Sequence, residues 1–290
     1  MSVKTKDGFV LPGQSRGLLG ALSQNYLLGL LVHKELRVRY RGSFLGMLWS
    51  YVKPATQFLV FYFAIGVFMG MNRNITNYVV YMFSGVVIIN YFSEIFGNAT
   101  RILVGNSDLV KKIYMPRELF PLSSVVVAFI HFFPQIVIMI IGALFFGWKP
   151  QPVAFLALIL GIIITTILAL GLGLIFGALN VLYRDSENFV DLILMMATWI
   201  SPVLYLWSMV HNVFSGSWEW LWHLYLLNPM TIAVELMHKA FWEPTNGVGA
   251  GQVLPNLGLW TLVALGISFA ILIIGNAVFK HFESKFAQEL

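Results

Sequence analysis

The sequence contains no cysteine. Disulfides, thiol nucleophiles and cysteine-ligated metals are therefore excluded. Charge is also scarce: Asp, Glu, Lys and Arg make up 11% of the residues, against about 25% in an average soluble domain. No G-x-x-x-x-G-K-[ST] phosphate loop occurs, so any ATP used with this chain is hydrolysed elsewhere. No H-E-x-x-H run or Ser-His-Asp spacing points to catalysis. His33, His131, His211, His223, His238 and His281 lack metal-ligand spacing. Catalytic, cofactor-binding and metal residues are accordingly expected to be none. The N-terminus lacks the short apolar core and cleavage site of a secretory signal, since Lys4, Lys6 and Asp7 lead into Pro12-Gly13-Gln14-Ser15. Neither low complexity nor an internal repeat is evident, which counts against an inverted-repeat transporter.

What the chain has in abundance is apolar surface: 58% of residues are hydrophobic and the mean hydropathy is +0.79. Such a chain is mostly embedded in a bilayer. The net charge of +5 fits loops obeying the positive-inside rule better than nucleic-acid binding, because the basic residues flank apolar runs and form no soluble module.

A span takes about 20 mainly apolar residues. The candidates are residues 48–71, 78–97, 119–146, 153–182, 189–210 and 257–279. The third and fourth are longer than required and are expected to tilt or project. Pro134 and Pro202 are expected to kink or break their helices. Residues 1–15 read as a polar tail. Residues 18–36 are apolar but interrupted by Ser23, Gln24, Asn25 and His33, which fits an interfacial helix better than a span. With the N-terminus inside, Arg73, Lys149 and Lys239 fall outside and the remainder of the 18 Lys and Arg fall inside. Both termini are therefore assigned to the cytoplasm. The largest exterior piece, 208–255, crowds Trp218, Trp220, Trp222 and Tyr225 before an amphipathic stretch 231–242 and a glycine-rich loop 247–251 that reads as flexible. Helices dipping into the outer leaflet fit these aromatics.

The chain turns on residues 34–54, KELRVRYRGSFLGMLWSYVKP. One Arg or Lys at the bilayer centre costs about 2.5–3.5 kcal/mol on insertion scales, so this run belongs at the membrane surface, with Trp49 and Tyr51 at headgroup level. Arg37, Arg39 and Arg41 are candidates for drawing in anionic headgroups, at about 1 kcal/mol each; ordinary topology-setting charge is the competing reading. Glu94 is the carboxylate placed well inside a span and is a functional candidate on that ground, with Arg101 in reach as a partner. His131 has no acidic neighbour in its own span and is expected to be hydrogen-bonded in the bundle. In the loop 101–121, Asn106, Ser107 or Asp108 is placed to cap a short helix starting near Leu109, and Pro116 to end it. Lys111, Lys112 and Arg117 give that loop a positive face. In the turn 183–187, Arg184 is expected to pair with Asp185 or Glu187, worth about 0–1 kcal/mol at a surface.

Four stretches taken together resemble the membrane subunits of type-2 ABC exporters, and more closely the branch that moves O-antigen, teichoic acid, capsule or galactan. They are residues 34–54; residues 106–121, NSDLVKKIYMPRELFP; Tyr183-Arg184-Asp185 with Ser201-Pro202-Val203-Leu204-Tyr205; and Leu227-Asn228-Pro229. Their order follows the family's across nearly the whole chain. The resemblance implies an all-α membrane protein of six transmembrane helices, with an N-terminal cytoplasmic interfacial helix in 1–44, a type-2 transmembrane domain in 45–282 and a cytoplasmic tail in 283–290. It also implies short re-entrant exterior helices between the fifth and sixth spans.

The resemblance further implies that Ser107, Asp108, Leu109, Val110, Lys111, Lys112 and Arg117 form an element coupling to a separate ATPase subunit. Asp108→Pro is then expected to abolish transport and spare insertion. Tyr183, Arg184 and Asp185 become a second cytoplasmic contact. An aromatic-lined path between two copies of the chain is implied, for which Phe58, Tyr62, Phe63, Tyr91, Phe92, Trp199, Tyr205 and Trp207 are candidates; packing in the bundle or against lipid is the competing reading of each. The first and fifth spans, with Pro54 and Pro202, are the candidates for a lateral gate. The implied function is the permease subunit of an ATP-driven exporter in a bacterial plasma membrane, moving a lipid-linked polysaccharide or polyol-phosphate polymer. The implied partners are two ATPase subunits that hold ATP and magnesium, a second copy of the chain, the lipid-linked glycan and membrane lipids, with no nucleic acid. Alternatives are a type-2 exporter of a small lipid or drug, an ion-coupled secondary transporter and a membrane-embedded enzyme.

Overall fold

The computed structural model describes residues 17–113, 115–216, 218–246 and 253–290. The polar tail 1–15 and the loop 247–251 lie outside them. Among the described residues all regular structure is helical. In order, α1 (Gly17–Leu22) and α2 (Asn25–Tyr40) are followed by a 3₁₀ turn (Gly46–Leu48), α3 (Trp49–Phe61) and a π-helical continuation (Tyr62–Phe68). Then come α4 (Met71–Asn74), α5 (Tyr78–Gly105), α6 (Ser107–Lys112), α7 (Leu119–Phe145), α8 (Pro152–Leu182) and α9 (Ser186–Ile200). The chain continues through α10 (Trp207–Phe214), α11 (Glu219–Leu226), α12 (Pro229–Met237), a π turn (His238–Trp242) and a 3₁₀ turn (Glu243–Thr245) to α13 (Leu257–Glu283) and α14 (Phe286–Glu289).

Among the described residues, 5 helices are long and apolar enough to cross a membrane: Gly46–Phe68, Tyr78–Gly105, Leu119–Phe145, Pro152–Leu182 and Leu257–Glu283. The expected fifth of six spans, 189–210, is not one helix. It divides into α9 and α10 around residues 201–206, and the cause is local. Pro202 has no N–H to donate and disfavours helical backbone at the residue before it; Ser201 is extended, with ψ 152°. The carbonyls released by this break face α5. The Tyr81 hydroxyl lies 2.9 Å from the Pro202 carbonyl oxygen and 2.6 Å from that of Tyr205, and the Tyr78 hydroxyl donates to Leu204 at 3.1 Å. Backbone polar groups at membrane depth need such partners. Pro134 behaves differently, because α7 runs through it without a break.

The centre of the bundle is α8, which packs against α5, α12 and α13. Small residues make this possible. A Cβ added to Gly275 of α13 would land on the Gly171 carbonyl of α8, and one added to Gly177 would lie 2.8 Å from the Ala99 carbonyl oxygen of α5. Helix pairs in membranes rely on this close approach, since lipid supplies no hydrophobic drive between them.

The amphipathic stretch 231–242 packs inside the bundle. Every residue of α12 is buried, and the helix packs on α8, α13 and α5. Asn228 caps it by accepting from the Met230 N–H at 3.1 Å, with Pro229 in the first turn. The Trp148 indole donates to the Ala240 carbonyl at 2.9 Å, and the Trp242 indole donates to that of Thr76 at 2.7 Å. These bonds hold the short helices to the end where α5 and α8 begin. Trp218 and Trp220 remain exposed there. The opposite end gathers α6, the α8–α9 turn and the close of α13; with Lys34, Arg101, Lys111, Lys112, Arg117 and Lys280 it is the basic end.

Candidate functional site

Helix α2 lies along α7 and directs Lys34 and Arg39 toward α5. At its middle, Lys34 bonds the Asn106 side chain, whose amide nitrogen donates to Glu35 at 3.1 Å and to the Ile102 carbonyl at 2.8 Å. Asn106 therefore ties α2 to α5 and does not cap α6. At the end of α2, Arg39 turns inward: its Nη1 lies 2.5 Å from Glu94 Oε1 on α5, and His131 Nδ1 on α7 lies 2.6 Å from the same oxygen. Tyr40 Oη is 2.6 Å from His131 Nε2 and 2.6 Å from Ser50 Oγ. Glu94, His131, Tyr40 and Ser50 thus form one chain of hydrogen bonds.

His131 is thus hydrogen-bonded in the bundle as expected, but Glu94 does not pair with Arg101. Arg101 crosses instead to α9, with Nε 3.3 Å from Glu187 Oε2 and Nη2 2.5 Å from Asp191 Oδ1. Glu187 also accepts from Asn180 at 3.0 Å. Arg184 has no ion pair among the described residues, so the expected local pair with Asp185 or Glu187 is not formed. All three arginines grouped in the basic run are exposed, but only Arg39 among them pairs with an acid, and Arg37 bonds His33 at 3.0 Å.

Beside the Arg39 cluster lies a cavity of about 550 Å³ lined by Arg39, Tyr40, Ser43, Trp49, Lys53, Asn90, Glu94 and Gln135 among others. A smaller one of about 200 Å³ lies between α2 and α5, beside Lys34 and Asn106. Sequence reading missed the larger cavity. Its signal is a polar stripe on otherwise apolar helices: Asn90, Glu94 and Asn98 at helical spacing on α5, and His131 with Gln135 on α7. A fully buried acid on α12 was also missed. Glu235 on α12 is 2% exposed, with its Oε1 3.5 Å from His238 Nδ1, and the Tyr81 ring stacks on His238 at 3.8 Å.

Helix α6 begins at Ser107, two residues before the expected start, and ends at Lys112, ahead of Pro116. No side chain caps it. Val110 is buried, and Leu109 packs partly into the same cluster of Leu103, Leu119, Phe120 and Phe286. Asp108, Lys111, Lys112 and Ile113 are exposed, with Lys112 Nζ 3.5 Å from Asp108. Arg117 does not join this face. Its guanidinium donates to the Glu283 carbonyl and lies 5.9 Å over the Phe286 ring. Because Asp108 falls in the first turn, where a backbone N–H has no helical partner, proline there is compatible with the helix. Asp108→Pro is therefore a poor disruptor; Leu109 and Val110, whose N–H groups bond Asn106 at 2.9 and 3.0 Å, are the sensitive positions. Tyr183, Arg184 and Asp185 are all exposed at the α8–α9 turn.

The aromatic candidates separate into three groups: Tyr91 and Phe92 buried, Phe58, Tyr62, Tyr205 and Trp207 half-buried, and Phe63 and Trp199 exposed. Tyr91 and Phe92 are buried: Tyr91 packs on Phe132 at 4.4 Å and bonds Thr166 at 2.9 Å, and Phe92 meets Phe96 at 5.7 Å. Phe58 and Tyr62 stack on α3 at 6.3 Å. Phe63 and Trp199 are exposed, and Trp199 on α9 meets Phe61 of α3 at 6.1 Å. Tyr205 donates to the Trp199 carbonyl at 2.7 Å, and Trp207 packs on Trp222 at 6.0 Å.

The chain is similar to an "O-antigen export system permease protein RfbA" of Klebsiella pneumoniae, 29% identical over 272 residues that cover 91% of this chain and 96% of the relative. A protein of the same description from Myxococcus xanthus is 29% identical over 262 residues, 90% of this chain and 94% of the relative. The "Polysialic acid transport protein KpsM" of Escherichia coli is 24% identical over 245 residues, 82% of this chain and 89% of the relative. The family described as ABC-2 type transporter matches residues 26–242, from α2 through the buried helix α12 to Trp242. This multi-pass membrane chain belongs to the ABC-2 type transporter family.

Proposed function

We propose that the chain is the permease subunit of an ATP-driven exporter of a lipid-linked polysaccharide or polyol-phosphate polymer, in a bacterial inner membrane with both termini cytoplasmic. Two copies pair with two ABC ATPase subunits, which hold ATP and magnesium and supply the stroke. The relatives named for O-antigen export and polysialic acid transport support the cargo class.

The observation that carries the reading is the build of α6. Its apolar side, Leu109 and Val110, is anchored in a cluster continuous with Phe120 of α7 and Phe286 of α14, while Asp108, Lys111, Lys112 and Ile113 face outward. A short helix packed against the ends of the long helices α5, through Leu103, and α7 transmits displacement to them as a rigid lever. The exposed Tyr183-Arg184-Asp185 turn offers a second contact, braced to α5 through Arg101. The lateral gate lies where α3 meets α9 at Phe61 and Trp199, and Arg37 and Arg41 attract anionic headgroups toward it.

The test is genetic. A strain lacking this chain is expected to lose its surface glycan and to accumulate lipid-linked polymer inside. Wild-type chain restores export, and a Lys111→Glu/Lys112→Glu chain that inserts normally does not. Normal surface glycan in the deletion strain would overturn the reading.

A further inference from the structure

The chain continues past the last span with an apolar pattern intact. Phe279, Phe282, Phe286 and Leu290 recur at helical spacing, while Lys280, Glu283, Lys285 and Glu289 fall between them. At the turn, the Lys285 N–H bonds the Phe282 carbonyl at 2.9 Å, three residues back, a tighter step than the α-helical one. Helix α14 then starts at Phe286. The Phe286 side chain is fully buried and meets the Phe279 ring edge-on at 5.1 Å. Phe282 and Leu290 pack on the same cluster. Arg117, in the approach to α7, fastens the turn twice: its guanidinium donates to the Glu283 carbonyl and lies over the Phe286 ring. The stretch 283–290 is therefore docked on the bundle.

This docking bears on α6. Helix α6 packs on α5, which it directly follows, and on α14. Its buried Val110 shares a cluster with Leu119, Phe120, Phe279 and Phe286. The chain itself joins α6 to α5 and α7 on either side. It does not join α6 to α13, which packs chiefly on α8 and α12. Phe286 bridges that gap. It follows Glu283, the last residue of α13, by a stretch of chain no longer than ~11 Å. Protein interiors are close-packed and transmit strain, so a shift of α6 against Phe286 is passed to α13 and not absorbed. Phe286 is enclosed and presents nothing to a partner; the outward face of α6 is Asp108, Lys111, Lys112 and Ile113.

We infer that Phe286, held by Arg117, is a positioning residue for α6 and ties it to α13, so that a displacement received at α6 reaches the last span as well as α5 and α7. The inference rests on the exporter reading for the source of that displacement, the ABC ATPase. It gives Arg117 a task different from that of Lys111 and Lys112, turned toward α14 and not toward the partner.

The first test follows amide hydrogen exchange over Ser107–Lys112 in the full chain, purified in nanodiscs without any partner. Phe286→Ala is expected to speed that exchange by ~10-fold or more, and Phe286→Leu, which keeps most of the apolar volume, to restore most of the protection. Arg117→Gln leaves the buried cluster intact and is expected to speed it by a smaller factor. Exchange over α12, at the other end of the bundle, is expected to stay unchanged in all three. The second test adds the ABC ATPase in proteoliposomes and measures polymer exported per ATP hydrolysed. Phe286→Ala is expected to lower that ratio by ~10-fold while leaving the hydrolysis rate within about twofold of wild type. A parallel fall in hydrolysis, partner recovery and export would mark Phe286 as a residue of the fold alone and overturn the inference. Unchanged exchange over α6 in both Phe286→Ala and Arg117→Gln would overturn it as well. If the wild-type pair moves no polymer, the exporter reading fails, while faster α6 exchange in the variants still upholds the positioning of α6 by Phe286.

Discussion

Glu94 on α5 and His131 on α7 meet at 2.6 Å, and the same carboxylate oxygen holds Arg39 of α2 at 2.5 Å. Three helices far apart in sequence are thereby fastened at one point. Removing one member of such a group strands the others, so single changes cost more than paired ones. Arg39→Ala and Glu94→Gln are each expected to lower the melting temperature of the purified chain, and the double variant to recover part of the loss. The coupling expected from a thermal double-mutant cycle is about 0.5–1 kcal/mol, at the low end of the range because Arg39 is about a third exposed. Additive losses would show that the pair does not act as a unit.

The α8–α13 contact depends on the absence of a side chain at Gly275, where a Cβ would strike the Gly171 carbonyl. Gly275→Ala is expected to force these helices apart and lower the melting temperature by several degrees, an overpacking cost of about 1–3 kcal/mol. Gly266→Ala, in the same helix with open space around it, is expected to be neutral or stabilising. Thermal unfolding followed by size-exclusion chromatography compares the two.

The break at Ser201-Pro202 relies on Tyr81, whose hydroxyl reaches two of the freed carbonyls. Tyr81→Phe keeps the ring and removes the bond. It is expected to destabilise the chain by about 1–3 kcal/mol, the cost of buried carbonyls left unpaired, and to make the 201–206 segment more sensitive to limited proteolysis.

Helix α6 is expected to tolerate change on its outer face and not on its anchor. Lys111→Glu/Lys112→Glu should weaken recovery of the ATPase partner in pull-down without lowering yield. Val110→Pro removes a backbone bond and a buried side chain together, and should lower both yield and partner recovery. Asp108→Pro, in the first turn, should lower neither by more than a small amount.

The sequence reading placed the long apolar helices and the short helix after Asn106 well, because hydropathy and local turn chemistry decide them. It located the break at Pro202 but carried the span through it, since apolar residues continue to Val210 and nothing local shows that Tyr78 and Tyr81 take over the backbone bonds. The 231–242 stretch looked amphipathic because of Thr231, Glu235, His238 and Lys239; its polar side proves to be buried, which depends on α8 presenting Gly161 to Ala233 and Leu236. Arg101, two turns from Glu94 on the same helix, was the nearest partner in sequence, whereas Arg39 reaches it only once α2 has packed along α7. The cavity follows from that packing and was invisible for the same reason.

The most direct test of the exporter account is transport in proteoliposomes carrying the chain and the ABC ATPase proposed as its partner, with fluorescent lipid-linked polymer supplied on the ATPase side. The account predicts that polymer crosses only when both subunits and hydrolysable ATP with magnesium are present. Polymer movement by the chain alone, or movement driven by an ion gradient without ATP, would contradict it.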